Sequence, residues 1–162
     1  MHSRQEIALV DLGQHVGHVL GTGSWHRIDQ DRVDAFAHAT EDRQWIHVDP
    51  KRAAAGPYGG TIAHGYLTLS LLPHLASDAY AITGVGARVN YGVNRVRFPA
   101  PLPVGSTVRD QATLLSTERT DHGIRVIIRH EVQIRGASRP ACIAEAITLF
   151  VPEGAVPREG AP

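Results

Sequence analysis

The chain has 162 residues, room for one domain and not for two full ones. Hydrophobic residues make up 43% and charged residues 20%, so a core can form and the chain is not disordered as a whole. Sixteen basic residues balance sixteen acidic ones, which removes the general electrostatic case for a nucleic-acid or anionic-membrane partner. Cys142 is the only cysteine, so an intrachain disulfide and a Cys-based zinc site are both excluded. No apolar run approaches the roughly 18 residues of a membrane helix. No basic-then-apolar leader is read at the start, where Met1–Arg4 runs into Gln5–Val10, and a cytoplasmic protein is expected. The excess to explain is histidine, with ten copies.

In chain order, Leu12–His26 reads as short strands, because Gly13, Gly17, Gly21 and Gly23 interrupt any helix. Asp29 is placed to cap a helix over Gln30–Thr40, with Val33, Phe36 and Ala37 as its apolar stripe. Asp42–Thr61 is rich in turn signals and reads as irregular chain. A loop of that length inside a compact domain is either a misassignment or functional. A short helix over Pro50–Ala55, capped by Asp49 with Pro50 at its first position, shortens this one. His64–Ala76 is apolar nearly all round, which predicts a helix buried on every side. Val85–Phe98, Thr107–Glu118, Gly123–Arg135 and Arg139–Val151 read as strands. In the third, Ile124, Val126, Ile128, Val132 and Ile134 share one face. A turn at Asp121–Gly123 and another over Gly136–Ser138 join these strands. The expected fold class is α+β, a long antiparallel sheet wrapped around one helix, over residues 1–151. The Pro- and Gly-rich stretch 152–162 is read as a tail.

The residues with chemical potential cluster early. Asp42 and His47 are a carboxylate and an imidazole that suit an acid/base pair holding one water. A capping Asp and a loop-bonded His account for the same spacing. Gly65 opens the apolar helix, where unpaired N–H groups and the helix dipole favour negative charge, and glycine permits close approach. Such an N–H can hold a carbonyl oxygen that becomes an enolate. Equally, the glycine can serve tight packing. His64 is its neighbour and reads as supporting. Thr68 and Ser70 are read as bonding back to their own helix, and Cys142 as core. His47-Val48-Asp49 lacks the spacing of a metal motif, so no metal and no cofactor are expected.

The run DRQWIHVDPKRAAAGPYGGTIAHGYLTLSLLP, with the later NYGVNRVRFPAPLPVG, resembles the MaoC-like (R)-specific enoyl-CoA hydratases, and within them the NodN-like (nodulation protein N) branch. The resemblance spans Trp25 to Val151. It implies a hotdog fold, an edge-to-edge homodimer, and a substrate carried as an acyl-CoA or acyl-carrier-protein thioester. It further implies that Asp42 and His47 are the catalytic pair, that Gly65 donates to the thioester carbonyl, and that Asn94 is a polar position bordering the pocket. Asn94 alternates with Val96 and Phe98, so it is expected to face the helix and to need partners there. One departure stands out. Many such hydratases carry Asn-Pro between the Asp and the His, whereas this gap reads Arg43-Gln44-Trp45-Ile46. The implied reaction is reversible hydration of trans-2-enoyl thioesters in fatty-acid metabolism. An acyl-CoA thioesterase and a non-catalytic acyl-thioester binding module remain alternatives.

Overall fold

A computed structural model describes residues 4–155. Its first strand, β1 (Gln5–Ala8), is followed by a 3-10 turn over Leu9–His15. Two short strands follow, β2 (Val19–Thr22) and β3 (His26–Arg27). The expected strands in Leu12–His26 therefore begin only after the 3-10 turn, which tolerates Gly13 because it needs few intrahelical bonds. Helix α1 (Gln30–Thr40) starts where expected, with the Asp29 carboxylate accepting from the Arg32 N–H at 3.0 Å, a cap worth about 1 kcal/mol. Helix α2 (Trp45–Val48) was not expected, and α3 (Pro50–Ala54) was, with Asp49 accepting from the Arg52 N–H.

The central helix departs from expectation in two ways. It forms two segments, α4 (Gly65–Ser70) and α5 (Leu72–Leu75), with His64 as the residue before the first. Pro73 explains the break, since it has no N–H to offer the Leu69 carbonyl one turn back. Nor is the helix buried all round. Leu67, Thr68, Leu72 and Leu75 are buried, but Tyr66 is 70% exposed, and Ser70, Pro73 and His74 lie on the same outer side. Apolar composition alone did not show that one face lacks a cover within this chain.

Strand β4 (Tyr80–Thr83) pairs in parallel with β1, Ile7 against Ile82. The long strands match their expected ranges closely: β5 (Val85–Arg97), β6 (Thr107–Thr120), β7 (Gly123–Ile134) and β8 (Cys142–Pro152). They form one antiparallel sheet in the order β2-β6-β7-β8-β5, with β3 pairing β6 further along the same side as β2. Its inner face carries Val108, Ala112 and Leu114 from β6 with Val126, Ile128 and Val132 from β7, all buried. These pack on Leu67, Leu72, Leu75 and the N-terminal Leu12 and Leu20. The turn after α5 presses closely on β2. A Cβ on Gly21 would lie 2.1 Å from the Ala79 carbonyl oxygen, so only glycine fits. The result is the expected α+β hotdog layout. Pro152 closes β8 and so belongs to the sheet, not to the tail, while 156–162 lie outside the described residues. Among the described residues no helix is long and apolar enough to cross a membrane.

Candidate active site

The chain leaves α1 through Glu41, which adopts the left-handed conformation at φ 61°. It is the only non-glycine residue with positive φ among the described residues. That turn swings Asp42 away from the helix and leaves it exposed. The segment from Asp42 to His64 then folds back on itself, because the Ile62 N–H donates to the Ile46 carbonyl at 3.0 Å. Gln30, on the first turn of α1, secures the fold-back. Its amide donates to the His47 carbonyl at 2.7 Å, and its oxygen accepts from the Thr61 hydroxyl at 2.7 Å.

His47 is thereby fixed at its backbone, and a second contact fixes its ring. Nδ1 lies 2.7 Å from the Ile62 carbonyl oxygen. A carbonyl only accepts, so Nδ1 carries the proton and Nε2 presents a lone pair in the neutral ring. Burial pushes the His47 pKa below its ordinary 6.5; the Ile62 bond opposes this, nearby His64 adds to it, and Asp42 opposes it. At neutral pH His47 is therefore an uncharged base.

His64 stacks on His47, with ring centroids 3.8 Å apart and planes 25° from parallel, and Phe36 packs on its other side at 5.1 Å. Its Nε2–H donates to the Asp42 carbonyl at 2.9 Å, tying the acidic loop to the start of α4. Its Nδ1 is buried without a hydrogen-bond partner. The side-chain donor atoms of Asp42, His47 and His64 all lie within 4.8 Å of one another. That gap suits one water bridging the carboxylate and an imidazole. The same three side chains also have the spacing of a group that could hold a metal ion.

Gly65 opens α4, so its N–H has no intrahelical acceptor. A Cβ here would lie 2.8 Å from the Phe98 ring, which covers the helix start. Phe98 in turn meets Tyr66 edge-on at 6.2 Å. Asn94 is not buried as expected. It is exposed on β5, whose register shifts between Val93 and Arg95 undo a simple alternation. Trp45, the departure from the hydratase pattern, turns to the loop. The Arg52 guanidinium sits 4.5 Å over its ring, and the missing Cβ of Gly56 makes room for it. Thr68 and Ser70 bond back to the carbonyls of His64 and Tyr66. Cys142 is fully buried, and burial with the nearby Asp110 charge pushes its thiol up to about 12.

Two polar residues were missed. Asp110 on β6 is 0% exposed and His130 on β7 is 6% exposed, and Asp110 Oδ2 accepts from His130 Nδ1–H at 2.7 Å. The signal was present in the alternation. Residue 130 lies on the inner face between Ile128 and Val132, and residue 110 between Val108 and Ala112.

The chain matches the MaoC like domain model over residues 11–134. It is 48% identical over 145 residues to 3-hydroxyacyl-thioester dehydratase Z of Mycobacterium tuberculosis, covering 89% of this chain and 96% of that protein. Over 148 residues it is 42% identical to nodulation protein N of Rhizobium leguminosarum bv. viciae, covering 90% and 92%. Among solved structures, the unliganded R-hydratase PhaJ1 from Pseudomonas aeruginosa superposes with a TM-score of 0.68 at 22% identity, covering 91% of this chain and 92% of that one. That likeness is one of fold.

Proposed function

The chain belongs to the MaoC-like family, and from that premise we propose that it is a hydro-lyase acting on acyl thioesters. The reaction is reversible hydration of a trans-2-enoyl thioester to a (3R)-3-hydroxyacyl thioester, the carrier being coenzyme A or acyl-carrier protein. The observation that carries this reading is the neutral, tautomer-fixed His47 within 4.8 Å of the Asp42 carboxylate.

One water sits between the two groups. Asp42 accepts a hydrogen bond from one of its O–H groups and orients it. His47 Nε2 takes the other proton as the oxygen bonds to C3. Charge moves to the thioester carbonyl as an enolate, which the Gly65 N–H stabilises more than it does the ground state. The proton on His47 then passes to C2, restoring both groups, so the one water supplies both added parts. His64 keeps Asp42 and His47 in place through its ring stack and its bond to the Asp42 carbonyl. Asn94, exposed on β5 four residues before Phe98, is assigned to the border of the thioester's path by the family resemblance alone.

A homodimer in the cytoplasm completes the reading. β5 is an edge strand of 13 residues, and Val89, Tyr91 and Val93 are exposed along it. A long, apolar, unpaired edge is satisfied by a second copy of the same strand.

Incubation of the purified protein with crotonyl-CoA tests the activity. The enoyl absorbance is expected to fall with no release of free thiol. Thiol release would instead identify a thioesterase, and neither signal, with binding retained, a binding module.

A further inference from the structure

A cavity of about 490 Å³ opens between the outer side of α4 and α5 and the inner faces of β5, β7 and β8. Leu69, Leu72 and Phe150 make much of its wall apolar; Ser70 and Ser77 on that wall bond back to helix carbonyls, Asn90, Tyr91 and Thr148 border it from the strands, and Tyr80, Arg88 and His130 complete the polar lining. None of these last three is accounted for by the hydration chemistry. The His130–Asp110 pair stands out. A buried carboxylate–imidazole pair is no more stabilising than apolar side chains of the same volume, and Asp110 keeps a second oxygen, Oδ1, buried and unpartnered. Asp110 accepts from Nδ1–H, so in the tautomer this bond selects Nε2 carries the lone pair. Among the described residues Nε2 has no hydrogen-bond partner, and the ring borders the cavity. Tyr80 is buried beside it. Its hydroxyl is pushed up to about 12, chiefly by burial and then by the Asp110 charge, so it stays a neutral donor. Arg88 supplies further donors, its guanidinium lying 5.5 Å from the Phe150 ring centroid.

We propose that this cavity is an acyl subsite that selects a chain carrying a hydroxyl group, with His130 as the specificity-determining residue. A hydroxyl is the group that donates to the His130 lone pair while accepting from the Tyr80 hydroxyl or the Arg88 guanidinium. An unsubstituted chain leaves these groups unpaired, and sites built to bond a hydroxyl discriminate strongly against analogues that lack it. The helix sets the distance. Leu69 and Leu72 stand four and seven residues beyond Gly65, about 6 and 10 Å along the axis. The hydroxyl therefore belongs well away from the thioester, near the end of a medium-length chain. This inference rests on the acyl-thioester reading above, but not on the hydration step.

Calorimetric binding of 8-hydroxyoctanoyl-CoA and octanoyl-CoA, which are not hydrated, tests it alongside the crotonyl-CoA assay. The hydroxylated probe is expected to bind about tenfold or more tightly. Both His130→Leu and Tyr80→Phe should bring that ratio toward one while octanoyl-CoA binding persists; Tyr80→Phe keeps the ring and guards against a misfolded His130 variant. A wild-type ratio within twofold, or a ratio that neither variant changes, overturns the proposal. Hydration of crotonyl-CoA without a hydroxyl preference removes this inference alone. A hydroxyl preference without hydration removes the catalytic reading alone.

Discussion

Two Asp–His pairs occupy this molecule, and they are built in opposite ways. Asp42 and His47 lie on the folded-back segment between α1 and α4, with the carboxylate exposed and the imidazole buried. Their side chains are near each other, but no direct hydrogen bond joins them. Asp110 and His130 lie on adjacent strands, both buried, and are bonded at 2.7 Å. The difference concerns where the unused bonding capacity points. In the loop pair, the carboxylate and the imidazole stand within 4.8 Å without bonding each other, the spacing that the proposed reaction uses for its water. In the strand pair, Asp110 uses its facing oxygen on His130, leaving one imidazole nitrogen to read what enters the cavity. A gap between the partners suits chemistry, and a bond between them suits orientation.

Substitutions should separate the two pairs. Asp42→Asn and His47→Gln are each expected to lower kcat on crotonyl-CoA by about 10²- to 10⁴-fold, the usual worth of a positioned acid or base. Circular dichroism should show the fold retained. Near-full activity in either variant would remove that residue from the mechanism. Asp110→Ala should act on stability instead. It leaves a buried imidazole N–H without an acceptor, at a cost of about 1–3 kcal/mol in urea denaturation. Joint replacement by Asp110→Leu and His130→Leu should recover part of that loss, because no polar group is then stranded. A double variant less stable than Asp110→Ala would show that the pair holds the sheet together. Gln30→Ala should give the smallest effect. Freed from its bond to the His47 carbonyl, the loop should lose roughly tenfold in kcat/KM, with about 1 kcal/mol of stability. Unchanged kinetics would mean that the Ile62 contact alone places the imidazole.

The sequence was most legible where the signal is local. Asp29 and Asp49 announce their helices because a cap bonds only three residues away. The four long strands show because alternation repeats along each of them. The strands β1 and β4 did not show, since each is four residues long and exists by pairing with a partner some 75 positions away. The candidate site was legible in its members and not in its assembly. Nothing near Gln30 indicates that its amide holds His47, seventeen residues on. His130 could have been read. The inner face of β7 runs Ile124, Val126, Ile128, then His130, then Val132, and a polar residue in an apolar series calls for a buried partner. Asp110 breaks the series of β6 in the same way.

The pH profile of kcat/KM tests the central claim most directly. His47 acts as a base only when uncharged, and burial holds its pKa below the ordinary 6.5. Activity should therefore be full at neutral pH and fall on the acid side, with a midpoint below 6.5, as His47 gains a proton. The residual activity of His47→Gln should lack that acid limb. An acid limb centred above 6.5, or one that survives in His47→Gln, would contradict the assignment of His47 as the base that activates water.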